Sequence, residues 1–300
     1  MQSRARPYPP AFLNLLSDVL TKEESDRARQ RHGGEIKHYP SSASFRKSDG
    51  SVVGACLRAA YYKATGVVET DTRDLTNYLQ AGFGNSIHDW LTDKLNKSPK
   101  IKVEAEAKGS YSVEGLNKEI SFRLDGLVSH NGELGGLEIK TVQSYGLQHM
   151  LKEGGPKEDH LLQILSYFAT NEAIRWFCLL YVARDSGYRA EFHLWKNPET
   201  EEFMVEGIFP QSKPKPVKEL TFEGVVKRWK EYEGFLERQE LPPRDFKAVF
   251  RDGQVVDRRI KNHVEYQTDF KCRYCSYKTH CWTSPGWEQD QVQIGGVTNA

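Results

Sequence analysis

Four of the five cysteines constrain this chain more than any other feature, because a shared ligand would force its two ends together. Cys272-x-x-Cys275-x5-Cys281 is a tight trio near the C-terminus, and Cys56, in GACLRAAYY, stands more than two hundred positions earlier. Four thiolates hold either an iron–sulfur cluster or a structural zinc. Zinc sites generally show two close pairs, and a one-plus-three arrangement departs from that. A C-x-x-C is also a redox motif, but no thioredoxin-like βαβ pattern surrounds this one. Closing a loop of that length is entropically costly unless something pins it. Cys178, in the apolar run WFCLLY, reads as a buried core thiol.

Disulfides are not the expected use of these thiols. The first residues, MQSRARPYPPAFLNLL, hold no apolar run long enough for a signal peptide. No segment approaches the ~20 apolar residues of a membrane span. The expectation is a cytosolic protein that does not touch a membrane, where thiols stay reduced. The net charge is only +1, which excludes a polycation, so any nucleic-acid surface must be local. Arg244–Lys278 is the richest stretch, with nine Lys/Arg against five Asp/Glu. Its aromatics (Phe250, Tyr266, Phe270, Tyr274, Tyr277, Trp282) can stack on bases or pack around the cysteines.

Periodicity predicts an N-terminal helix from Ala11 to about Arg31, a Ser-rich link, and a helix over Val52–Thr65 that ends at Gly66. Leu75, Tyr78, Leu79, Phe83, Ile87, Trp90, Leu91 and Leu95 recur at helical spacing over about 74–96. Strand-like runs follow at Ile101–Tyr111, Glu119–Val128 and Gly136–Thr141. A helix is expected over about 157–173, a strand pair at Arg175–Ala183 and Arg189–Trp195, a linker at KPKPVKEL and a helix at Phe222–Gln239 stopped by Leu241-Pro242-Pro243. The last sixty residues show little periodicity, and no repeat is present. This order suits a mixed α/β core with helical additions. The expected organisation is an N-terminal helical segment (1–50), a core (51–240), a cysteine-rich segment (241–285) that shares a site with Cys56, and a mobile tail (286–300).

Chemistry concentrates in the middle of the chain. In SFRLDGLVS, Asp125 is expected in a strand, with Phe122, Leu124 and Val128 on one face and Arg123 with Asp125 on the other. In GGLEIKT, Glu138 and Lys140 alternate with Leu137 and Ile139 and therefore share one side of a strand. Gly132, Gly135 and Gly136 permit a hairpin, and an antiparallel return brings Asp125 close to Glu138. Two carboxylates are hard ligands for Mg²⁺ or Mn²⁺. A lysine beside them suits phosphodiester hydrolysis, where it can orient a hydroxide and offset charge on the phosphorane. His88, in GNSIHDWL, can complete such a site. Gln163 and Tyr167 share a helix face, with His160 one turn earlier. Each element alone is also an ordinary surface or core feature.

The series His88, Asp125, Glu138-Ile139-Lys140 and Gln163-x-x-x-Tyr167 resembles the full motif order of RecB-like PD-(D/E)XK nucleases, over roughly residues 51–240. The resemblance implies a mixed central β-sheet flanked by helices, a restriction-endonuclease-like core. It implies metal ligation by His88, Asp125, Glu138 and the carbonyl of Ile139, a water served by Lys140, and support from Gln163 and Tyr167. The cysteine arrangement is similar to that of the iron–sulfur nucleases of the same superfamily, which include the CRISPR-associated exonucleases and the nuclease domains of some helicase–nucleases. CRYCSYKTHCW, just after LPPRDF, is close to their C-terminal pattern, and CLRAAYY resembles their early segment, with Leu57 where Pro is common. By that resemblance Cys56, Cys272, Cys275 and Cys281 hold a 4Fe–4S cluster that staples the C-terminal subdomain to the core. The implied activity is a metal-dependent exonuclease on single-stranded DNA or DNA ends; an RNA substrate stays an alternative, and viral replication, recombination, repair and CRISPR adaptation are all open as its setting. The alternative is a non-catalytic iron–sulfur or zinc subunit that binds nucleic acid or serves assembly. No Walker sequence is present, so no ATP use is expected, and a helicase or recombination partner and a homo-oligomer both stay open.

Overall fold

The computed structural model describes residues 16–23, 36–71, 75–169, 171–251, 254–261 and 264–283. Part of the N-terminal helix expectation and the whole of the expected tail lie outside them. Residues 16–23 form α1. A short 3₁₀ turn, Pro40–Ser42, leads to a hairpin of β1 (Ser44–Arg46) and β2 (Val52–Gly54). The helix expected over Val52–Thr65 is therefore a strand followed by a shorter helix, α2 (Leu57–Ala64). The reason lies at Gly54. Its φ is +89°, in the left-handed region that favours glycine, and a Cβ there would stand 2.0 Å from the Ala43 carbonyl oxygen. Only glycine lets the two backbones approach so closely.

The long amphipathic helix is α3 (Leu75–Asn96). Leu91 and Leu95 pack on the sheet, but Phe83 and Trp90 stay exposed, so only the C-terminal part of the apolar stripe is used by the described residues. Ile101–Tyr111 breaks at Glu106, whose φ is +53°, into β3 (Lys102–Ala105) and β4 (Lys108–Tyr111). β4 pairs with β5 (Ile120–Arg123) outside the main sheet. β6 (Gly126–His130) and β7 (Glu133–Val142) form the expected hairpin. Asn131 and Gly132, both at positive φ, make its turn. Gly135 and Gly136 sit inside β7 instead, where a Cβ would collide with the rings of Trp176 and Phe177.

From β7 the chain passes through α4 (Ser144–Lys152), which periodicity did not predict, and α5 (Glu158–Phe168), shorter than expected. It returns in β8 (Ile174–Ala183), parallel to β7, and continues through β9 (Arg189–Lys196) and β10 (Phe203–Phe209). The KPKPVKEL linker contributes a two-residue edge strand, β11 (Lys215–Pro216). The main sheet has the order β11-β10-β9-β8-β7-β6-β3, antiparallel except at β7–β8. The expected mixed sheet flanked by helices is thus the observed fold. The helix α6 (Phe222–Arg238) starts at a Thr221 cap and ends at Gln239 in the left-handed region. The C-terminal segment, poor in periodicity, folds into hairpins β12 (Val249–Arg251)/β13 (Gln254–Val256) and β14 (Arg258–Lys261)/β15 (Val264–Gln267). Short helices α7 (Phe270–Arg273) and α8 (Lys278–Thr283) follow. Among the described residues, no helix is long and apolar enough to cross a membrane.

Helix α5 buries eight consecutive residues, Leu161–Phe168, against one face of the sheet. Phe177, Leu179 and Tyr181 meet it there, and Val103, Val128, Leu137 and Ile139 face α3 on the other side. The C-terminal segment is tied to the core by polar contacts as well. Asp245 is 1% exposed, accepts the Leu57 amide at 2.9 Å, and pairs with Arg228 at 2.7 Å. Arg58 Nε donates to the Pro242 carbonyl at 2.6 Å. Asp71 accepts from the Thr279 amide at 2.7 Å, and Arg244 donates to the Cys281 carbonyl. Removing Asp245 leaves the Arg228 guanidinium, 3% exposed, with Glu231 at 2.6 Å but without its buried carboxylate, and strips the Leu57 amide of its acceptor. Asp245→Ala is therefore expected to cost about 3–5 kcal/mol of stability, read as a shift of the urea midpoint.

Candidate active site

The site begins where the β6–β7 ladder ends. The register runs from His130↔Glu133 to Gly126↔Leu137, which sets Asp125 opposite Glu138. Asp125 does not lie within a strand, as expected, but in the break between β5 and β6. Chain direction changes there, so Leu124 joins the α5-side core with Ile120, whereas Val128 joins the α3-side cluster. The single-face expectation for Phe122, Leu124 and Val128 fails for that reason. With β6 finished, the Ile139 amide has no strand partner, and Asp125 Oδ2 accepts it at 2.7 Å.

On β7, Glu138 and Lys140 face α5. Lys140 Nζ donates to Glu138 Oε1 at 2.7 Å and to Gln163 Oε1 at 2.8 Å. Gln163 Nε2 lies 2.9 Å from Glu138 Oε1 and 2.8 Å from Tyr167 OH. Tyr167 OH donates to the Arg123 carbonyl at 2.9 Å, which ties α5 to the strand that leads into Asp125. His88 Nδ1 on α3 is 3.5 Å from Asp125 Oδ2. Six side chains named from sequence, His88, Asp125, Glu138, Lys140, Gln163 and Tyr167, thus form one connected group. It draws on α3, the β5–β6 break, β7 and α5.

The two carboxylates differ in character. Burial raises the pKa of Glu138, and the Lys140 ammonium beside it offsets only part of that. Its Oε2 is buried with no hydrogen-bond partner. Burial also works against Asp125, but hydrogen bonds from His88 and the Ile139 amide, with the nearby charges of His88 and Lys140, hold it below the usual carboxylate range. His160 does not join the group. Its Nδ1 lies 2.7 Å from Tyr181 OH, and burial pushes its pKa down to about 3.

The four cysteines of the one-plus-three pattern line one cavity of about 370 Å³, between α2 and the C-terminal segment. Cys56 caps α2, and Cys272 lies on α7. Burial pushes the Cys56 thiol up to about 11 and raises Cys272 and Cys275 as well. Cys178, expected as a buried core thiol, packs against the α3-side core cluster but is only half-buried. It faces Glu191 and His193 across the β8–β9 pair, and the donor atoms of these three lie within 4.8 Å of one another. Glu191 already accepts from His193 at 2.8 Å and from the Cys178 thiol. Register sets this trio on the sheet face opposite Glu138 and Lys140. No spacing within one segment signals it, because Cys178 and His193 meet only through strand pairing. Asp245 was also missed, although it stands in the LPPRDF that precedes the cysteines.

No protein-family model matches the chain, and no curated protein matches its sequence. Among solved structures, that of SSO0001 superposes with a TM-score of 0.48 at 15% identity, over 92% of this chain and 98% of that one. LHK-Exo, solved in complex with dAMP, superposes with a TM-score of 0.39 at 12% identity, over 61% of this chain and 78% of that one. Likeness this distant says nothing about activity.

Tyr167→Phe removes the hydroxyl that receives the Gln163 amide and reaches the Arg123 carbonyl. A loss of about 1–3 kcal/mol in unfolding free energy is expected, because the Arg123 carbonyl loses this donor and Gln163 Nε2 keeps only its bond to Glu138. Thermal denaturation beside the wild type measures it.

Proposed function

We propose that this protein is a metal-dependent DNA nuclease of the RecB-like PD-(D/E)XK type, an exonuclease acting on single strands or DNA ends. One observation carries the reading. Glu138, almost fully buried, has an unpaired Oε2 beside Asp125 and Lys140, and burying a carboxylate oxygen without a partner is costly unless a cation meets it. The donor set suits a hard divalent ion. Asp125, Glu138, His88 and the Ile139 carbonyl would hold Mg²⁺ or Mn²⁺, which supplies polarisation of a phosphate oxygen and acidification of a water.

The chain's own residues account for the rest. Lys140 presents an ammonium at the carboxylates, where it offsets negative charge that builds on the phosphorane. Glu138 Oε1 and Gln163 Oε1 fix that ammonium from two sides. Tyr167 takes one Gln163 amide hydrogen, which keeps the Gln163 oxygen turned toward Lys140. Asp125 stays ionised because His88 and the Ile139 amide favour its charged form.

The four cysteines that share a cavity would hold a 4Fe–4S cluster. A cavity of about 370 Å³ leaves room for a polyatomic group where a single zinc ion needs none. Thiols that burial keeps protonated would release protons on binding it. The role is structural, since the cluster would join α2 to α7 and α8 across the whole core.

The test is cleavage of end-labelled single- and double-stranded DNA by anaerobically purified protein with Mg²⁺ or Mn²⁺. Cutting is expected to stop with EDTA, and to fall by a factor of at least 10² in Lys140→Ala and Glu138→Ala, with iron content and cluster absorbance intact. Full activity in both variants would sink the assignment. Cys56→Ala is expected to lose its iron, loosen the C-terminal segment and lose activity indirectly. Normal iron content and cutting in that variant would refute the cluster.

A further inference from the structure

We infer that the cluster-bearing segment supplies one wall of a groove that grips an unpaired DNA strand, with Phe270 and Tyr274 as a base-stacking step and Arg184 as a backbone contact. This inference rests on the nuclease reading. A cavity of about 740 Å³ lies between the C-terminal segment, the first half of α3 and the end of β7. Its floor includes Thr141 and Val142, which directly follow Lys140 on β7, so it begins at the residue next to that lysine along the strand. Along α3, Thr76 and Gln80 line it. The next two positions at that spacing are Gly84, packed on Thr141, and His88, which reaches Asp125. Both elements therefore lead from the groove to the proposed metal ligands.

The charge and the rings suit one occupant. Among the described residues, Lys157, Arg184, Arg273 and Lys278 line the cavity beside one acid, Asp71; Arg273 lies 3.5 Å from Asp257 and Lys278 3.6 Å from Asp71. Asp71 is spent on Thr279 and Lys278. Phe270 and Tyr274 are 64% and 63% exposed, with ring centroids 4.8 Å apart and Lys157 Nζ 5.8 Å from the Phe270 ring. Large aromatic faces left in water beside clustered cations are the composition of a single-strand platform, where every base offers a π-face and phosphates meet the cations. Paired bases present no free face to such rings. Cys272 lies between the two aromatics on the same turn, and Cys275 lines both this groove and the cysteine cavity. Filling the cysteine site would therefore set the position of the stacking step.

The experiment measures binding of a fluorescent single-stranded oligonucleotide, and of a blunt duplex of the same sequence, by anisotropy. The protein is the full cluster-loaded chain carrying Glu138→Ala, so that the strand stays uncut. Adding Phe270→Ala with Tyr274→Ala is expected to weaken single-strand binding at least tenfold, with iron content unchanged and duplex binding affected little. Phe270→Tyr with Tyr274→Phe is expected to restore it. Arg184→Ala, away from the cluster segment, is expected to weaken binding and to flatten the dependence of log affinity on log salt by about 0.7. Hydrolysis of thymidine 5′-(p-nitrophenyl phosphate) by the wild-type chain, an ester too small to span the groove, reads the metal site alone. Unchanged single-strand affinity in either the aromatic or the Arg184 variant, or equal losses on single strand and duplex, overturns the groove. Absence of metal-dependent hydrolysis of the small ester by the wild type overturns the nuclease reading instead. If the aromatic variant loses iron, the Arg184 arm decides.

Discussion

The end of one strand ladder organises the middle of this molecule. β6 stops pairing at Gly126, and the next amide of β7 that needs an acceptor, Ile139 N–H, is taken by the Asp125 carboxylate. An unpaired amide inside a sheet is costly, so the side chain that replaces the missing strand is held in one place. That bond holds Asp125 in the place opposite Glu138 that the β6–β7 register gives it, at the point where the chain passes from the small β4–β5 sheet into the main one. It also separates Leu124 from Val128, so one short segment feeds hydrophobic groups to both faces of the core.

A buried carboxylate with an unpaired oxygen is tolerable only in a frame that restrains its neighbours. The frame here is α5, whose eight buried residues fix it on the sheet and leave Gln163 and Tyr167 as its two polar side chains aimed at the site. The bonds from Tyr167 through Gln163 to Lys140 and Glu138 form a fully directed network, in which each donor and acceptor restricts the next. Precise placement of a lysine then follows from packing far from its own backbone.

Closure of the chain rests on more than thiols. Asp245 bonds the amide that begins α2, one residue after Cys56, and its partner Arg228 is equally buried. Arg58, Asp71 and Arg244 add bonds between the early and late segments. These contacts gather Cys56 and the C-terminal trio around one cavity through protein atoms alone, so the entropic cost of closing the long loop is shared.

The sequence by itself determined the mixed α/β class, the β6–β7 hairpin and the side of β7 on which Glu138 and Lys140 stand. A period of two residues and an Asn-Gly turn carry that information locally. It also marked His88, Gln163 and Tyr167, because order along the chain survives folding. Local pattern misread Val52–Gly54, whose strand exists only because β1 lies beside it, and missed β10 and the C-terminal hairpins for the same reason. It placed Asp125 within a strand, since nothing nearby says where a ladder ends. Tertiary structure alone decided that Cys178 meets His193, that Asp245 pins the start of α2, and that Phe83 and Trp90 stay in water. Each depends on which distant surface arrives, and a side chain's neighbours across a sheet or a long loop leave no period in the sequence that encodes them.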